Sequence, residues 1–256
     1  MTDIPSEPRS VPSQMGSHLR VVDGQIECWL QVSPEVCVHG VPLGSTLVML
    51  VDVGGGYAAE LESGDDWSFT VDIGIRRTPK VTDRISGIPK VQRAGRTVSI
   101  DFPMLDADGD ATAAGVSTFI RLPRRPQDPP RPNFPADSMD IWHPPEAHLA
   151  ELLDAHPTER GLEVGHRPEL LNPAKILQGG VAALLAELAA QRVLEAASGQ
   201  HLVSTSFDVR YVTMGRVGPF EAVVEPIGPE IAVVKVIDRG ADDAVVTHNL
   251  IGFTAI

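Results

Sequence analysis

The sequence predicts an α+β protein in which one unit, a long helix wrapped by an antiparallel sheet, occurs twice. Three observations carry this. Two long runs rich in helix formers lie far apart in the chain. Each is followed by a series of short segments of strand composition, separated by turn residues. The two halves also keep a nearly fixed offset. Gly44 to Asp52 and Gly179 to Glu187 both span eight positions, TVDIGIRR over 70–77 is set against SFDVRYVT over 206–213, and Phe119 against Phe253, at offsets of 134 to 136. A constant offset through helix, strand and last strand indicates internal duplication.

In chain order, the first 17 residues are polar and rich in Pro and Ser, with no apolar targeting core, and are expected to fray. Residues 18–32 form strands around a turn at Asp23-Gly24. A helix is expected from about Thr46 to Leu61, apolar but for Asp52 and interrupted by Gly54-Gly55-Gly56. Those glycines weaken an isolated helix and allow a sheet or helix to approach closely. Asp66 and its polar neighbours end it. Strands follow over 68–77, 86–93, 97–105 and 111–122, with turns at Ala94-Gly95 and Asp108-Gly109. Proline density makes 123–145 a linker, with a short helix over 146–155. The second unit then opens, with a helix over 181–197 and strands over 202–213, 220–227, 230–238 and 244–255. This divides the chain into a tail over 1–17, an N-terminal unit over 18–122, a linker over 123–158 and a C-terminal unit over 159–256.

Composition excludes several classes of function. With 256 residues, 43% of them hydrophobic, the chain can bury a sizeable core. A net charge of −13 argues against nucleic acid and anionic membrane as partners. Cys28 and Cys37 make neither a disulfide framework nor a metal cluster, and no pattern of metal ligands or nucleotide-binding glycines stands out. The expectation is a cytoplasmic protein without metal or resident cofactor.

The chemistry concentrates in Asn172–Gln191, NPAKILQGGVAALLAELAAQ. Gly179 and Gly180 bring bare backbone N–H groups to a helix start, where an anion or a developing oxyanion is favoured. Glu187 is the one charge in an otherwise apolar stretch, so it belongs to a buried helix. Together they suggest a hydrolytic pair.

This pattern resembles the tandem (double) hotdog fold, in particular acyl-CoA thioesterases of the phenylacetate-pathway and 4-hydroxybenzoyl-CoA type. Their hallmark is an Asn, a short step, His-Gly-Gly and a helix carrying an acid. Asn172 takes the Asn place, Gln178-Gly179-Gly180 the His-Gly-Gly place, Glu187 the acidic place, and Gln191 that of a polar helper. The N-terminal copy departs more: Cys37, Leu43 and Gly44-Ser45 stand at the corresponding places, Asp52 keeps the acid, and Gly56 supplies no helper. The resemblance implies hydrolysis of an acyl-CoA to free acid and coenzyme A, with Gly179 or Gly180 N–H binding the oxyanion. Glu187 then attacks directly or activates water, and the C-terminal site outworks the Asp52 site. Related dehydratases need an acid–base histidine where Gln178 stands, so hydratase or dehydratase action is one alternative and a non-catalytic acyl-CoA-binding protein the other. His39, His166, His201 and His248 are expected to be chemically idle. Because such sites form between units, Asp72 and Asp208, taken as equivalent, either face the groove or are solvated. Arg76, Arg77, Lys80, Arg93, Arg96, Arg210 and Arg216 are the candidates for the phosphates of coenzyme A. Two fused units mimic a dimer, and a homo-oligomer, a dimer of double hotdogs or larger, is expected.

Overall fold

The computed structural model describes residues 10–22, 24–64, 66–125 and 144–256. The Asp23 half of the first turn, most of the proline-rich linker and the first nine residues of the tail lie outside them. From Ser10 the tail is not frayed: Val11 and Met15 are buried, and the Val11 N–H donates to the Glu169 carbonyl at 2.8 Å.

The N-terminal unit runs β1 (Ser17–Val22), β2 (Gln25–Gln31), a small hairpin of β3 (Cys37–Val38) and β4 (Val41–Pro42), then α1 (Gly44–Ser63). Five strands follow: β5 (Trp67–Arg77), β6 (Arg84–Gly87), β7 (Lys90–Arg93), β8 (Thr97–Asp106) and β9 (Ala111–Leu122). The strand expected over 86–93 is thus two strands, both paired to β8. A one-turn helix α2 (Leu149–Leu153) leads to β10 (His156–Pro157), β11 (Gly161–Val164) and α3 (Gly179–Ser198). The chain ends with β12 (Leu202–Tyr211), β13 (Phe220–Pro226), β14 (Ile231–Asp238) and β15 (Ala244–Ala255). Both long helices begin at their glycines, two residues before the runs read from composition. At this first helical position the backbone N–H has no partner within the helix.

Among the described residues the strands form a 13-stranded sheet ordered β1-β2-β6-β8-β9-β5-β12-β15-β14-β13-β11-β10, with β7 also on β8. The two units join edge to edge at β5 and β12, where Ile73 faces Val209 and Arg76 faces Ser206. Pairing these edges removes two exposed ladders. One sheet face carries α1 and α3, and strand alternation supplies the core: Val98, Ile100, Phe102 and Met104 from β8, Ala232, Val234 and Val236 from β14. At Gly54 a Cβ would stand 2.5 Å from Cys28 Sγ and 2.9 Å from Phe102, so α1 lies on the sheet closer than any side chain there permits. This is the tandem hotdog architecture.

The ladders revise the internal alignment. Thr70 pairs with Phe119 and Asp72 with Thr118, leaving Val71 as a bulge; Ser204 pairs with Phe253 and Ser206 with Gly252, leaving Thr205 as a bulge. The bulges match each other, so Thr70 corresponds to Ser204, and Asp72 to Ser206 rather than Asp208. The sequence comparison had slipped by two residues, which keeps every side chain on its face and therefore leaves the apolar pattern intact.

Candidate active site

Each long helix begins beside the carboxylate of the other helix, but the two ends are wired differently. At the start of α1, Gly44 N–H donates to Glu187 Oε1 and Ser45 N–H to Glu187 Oε2, both at 2.8 Å. Ser204 Oγ donates to Glu187 Oε1 at 2.5 Å. Glu187 is only 1% exposed. A carboxylate at a helix N-terminus is favoured by the helix dipole and by the N–H groups it satisfies. Arg77 closes this end, donating from Nε to the Ser204 carbonyl at 2.7 Å and from Nη1 to the Pro42 carbonyl at 2.5 Å. Burial pulls the Arg77 guanidinium below its usual pKa, with the Glu187 charge acting in the other direction. Here both acceptor oxygens are committed and the N–H groups are filled.

The start of α3 is arranged differently. Gln178 Oε1 accepts from Gly180 N–H at 2.5 Å and Val181 N–H at 3.1 Å. Its Nε2 donates to Asp52 Oδ2 at 2.9 Å, and Thr70 Oγ1 donates to Asp52 Oδ1 at 2.6 Å. Among the described residues no group accepts from the Gly179 N–H. A Cβ at Gly179 would stand 2.7 Å from Tyr211 Oη and 2.9 Å from Asp52 Oδ2, so glycine keeps this corner open. The Tyr211 hydroxyl is buried and has no hydrogen-bond partner among the described residues. Burial pushes the Asp52 carboxyl up to about 6, against the lowering effect of Thr70 and Gln178. Tyr211 is raised well above the phenol range by burial and by the Asp52 charge, so it stays a neutral donor. A cleft of about 210 Å³ opens on this group, lined by Asp52, Thr70, Gly179 and Tyr211 and by apolar Phe69, Ile176, Leu177 and Met214.

The structure therefore does not bring Glu187 to Gly179-Gly180. The two lie on one helix, and Glu187 faces the start of the other. It is Asp52 that meets Gln178-Gly179. Gly180 N–H is taken by the Gln178 cap. Gln191 turns from Glu187 and donates to the Leu202 carbonyl at 3.0 Å and to Glu195 at 3.1 Å, tying α3 to β12. Asn172 lies on the cleft wall, where its Oδ1 accepts from Ala174 and Ile176 N–H groups and shapes the turn before α3. The seven cations do not gather into one rim. Arg76 makes a two-pronged pair with Asp208, both bonds 2.9 Å, on the face of the sheet away from the helices. Arg210 stands opposite Asp72 in the same ladder, and Lys80 is paired with Asp106. Arg93 and Arg96 are exposed at the β7–β8 turn, and Arg77 is sequestered beside Glu187. None of the seven lines the cleft; Arg210 and Arg216 are the two next in sequence to lining residues, Tyr211 and Gly215. Thr70 and Tyr211 were missed. The offset of 134 would have shown Thr70 and Ser204 as matching hydroxyls, 18 and 17 residues after the two acids.

No family model matches the chain, and no curated protein matches it. Solved structures do. An acyl-ACP thioesterase from Bacteroides thetaiotaomicron superposes with a TM-score of 0.61 at 12% identity, over 89% of this chain and 97% of that one. A tesB protein of Mycobacterium avium subsp. paratuberculosis gives 0.59 at 13% identity, over 95% and 98%. A 12:0-ACP thioesterase from Umbellularia californica gives 0.59 at 10% identity, over 91% and 94%. Likeness at this level of identity speaks for the fold, and the fold these proteins share with the chain is two hotdog units joined in one polypeptide.

Proposed function

We propose that the chain hydrolyses an acyl thioester, with acyl-CoA as the substrate, and that Asp52 rather than Glu187 is the catalytic carboxylate. The observation that carries this is the Asp52 carboxylate, held between Thr70 and Gln178 and set beside Gly179, whose N–H has no acceptor among the described residues, on the wall of a largely apolar cleft. The acyl chain lies along Phe69, Ile176, Leu177 and Met214. Asp52, ionised above about pH 6, takes a proton from a water that its Thr70 and Gln178 partners help to align. The water oxygen bonds to the thioester carbonyl carbon. The oxyanion that forms accepts from Gly179 N–H at the positive end of α3 and from the Tyr211 O–H. As the carbonyl re-forms, the C–S bond breaks and the thiolate recovers the proton from Asp52. The products are the carboxylic acid and free coenzyme A. Both Asp52 oxygens are already hydrogen-bonded, which favours the base over direct attack on the carbonyl.

A hydrolysis screen over short, long and aromatic acyl-CoA esters tests this, with release of free thiol as the readout. The expected result is turnover that disappears in Gly179→Ala, whose methyl would collide with Asp52 and Tyr211 while the fold persists. Absence of hydrolysis over the whole screen would leave a binding role for the cleft and overturn the catalytic reading.

A further inference from the structure

At the opposite end of α3 from the cleft, about 24 Å away along the helix, side chains of both units converge. His39 sits at the tip of the β3–β4 hairpin, Glu195 in the last turn of α3, and His201 just before β12. His39 Nε2 lies 2.9 Å from Glu195 Oε1, and the His39 and His201 rings are 4.2 Å apart between centroids. One donor atom from each of the three residues lies within 4.8 Å of the others.

We propose that these three residues bind a divalent transition-metal ion of the zinc type, with water completing its coordination. Two imidazoles and a carboxylate are a donor set suited to such ions and poorly suited to Mg²⁺ or Ca²⁺. Donors held about 2.0–2.1 Å from a tetrahedral ion stand about 3.3 Å from one another, a spacing near that of the present cluster, whose donor atoms all lie within 4.8 Å of one another. The carboxylate is already oriented from behind: Glu195 Oε1 accepts from Leu202 N–H at 2.8 Å and from Gln191 Nε2 at 3.1 Å. No described group donates to its Oε2. Fixing of a ligand by neighbours of this kind is what tunes metal sites. His39 also keeps a left-handed backbone, φ 49°, which is costly for a residue other than glycine and places its ring against α3. The ion would staple the hairpin that leads into α1 onto the C-terminal unit. It takes no part in the chemistry at Asp52.

The test uses the full chain, stripped with a chelator, titrated with Zn²⁺ in a calorimeter and melted with and without the ion. One Zn²⁺ per chain is expected, with micromolar or tighter affinity and a higher melting temperature when bound. His39→Asn, which tolerates the left-handed backbone, and His201→Ala should each weaken binding at least tenfold. Co²⁺ in place of Zn²⁺ should give the visible bands of a four- or five-coordinate site, absent from both variants. Absence of saturable binding at one ion per chain overturns the site, as does affinity unchanged in the double variant.

Discussion

Asp52 and Glu187 occupy matching places and have opposite surroundings, and two substitutions separate them. Asp52 has a carboxyl pushed up to about 6 by burial, above the usual range of an unfolded chain. Its contribution to stability is therefore fully present below about pH 4 and is lost as pH rises through about 6. At neutral pH the ionised group is a cost, moderated by the water that reaches this half-buried residue. Asp52→Asn should raise the melting temperature at pH 7.5, by about 1 kcal/mol of stability, while turnover falls by at least a hundredfold. In the unaltered protein kcat/KM should climb with pH through about 6 and then level, which a pH–rate profile reads directly. Glu187→Gln should behave in reverse. The amide nitrogen would face the N–H of Gly44 or Ser45, setting donor against donor in a buried place. A loss of about 1–3 kcal/mol is expected in denaturant melts, with kcat of the folded fraction close to that of the unaltered protein. Loss of turnover in a well-folded Glu187→Gln, with Asp52→Asn active, would restore the assignment read from the sequence.

Among the elements, the loop between β12 and β13 decides the shape of the cleft and is held by one acid. Asp238, 1% exposed at the end of β14, accepts from Arg216 N–H at 2.9 Å, Val217 N–H at 3.0 Å and Gly218 N–H at 2.7 Å. Burial works against its charge, yet these N–H groups hold its pKa below the usual carboxylate range. Its stabilising contribution is thus present above about pH 4 and lost as pH falls further. Asp238→Asn should loosen Thr213–Gly215 and raise KM several-fold with kcat little changed, measured on the best ester of the screen. Helices and strands were legible in the sequence because apolar periodicity is local: α1, α3 and the strands after them are found within a few residues of their expected limits. The glycines of α1 were also read correctly as room for the sheet at Gly54. What faces each helix start was not legible, since Gly179 and Glu187 are near in sequence but lie along a straight helix that cannot fold back on itself. Thr70 was hidden for another reason, a slip of two residues that no apolar pattern registers.

For the whole molecule, the β5–β12 seam places each acid at the start of the other unit's helix, so neither unit is complete alone. The fragment 159–256 expressed by itself would bare the edge of β12 and leave Glu187 without Gly44 and Ser45. It should be aggregated or unfolded by circular dichroism and gel filtration, and a dispersed, cooperative fold in that fragment would refute this dependence. The seam also bears on descent. In a dimer of identical chains a codon change alters both catalytic pockets together, so neither can lose its chemistry while the other keeps it. Once the two copies share a reading frame, each drifts separately. One copy of the acid can then become a bolt across the interface, as Glu187 is here at Gly44 and Ser45, with no matching change in the other.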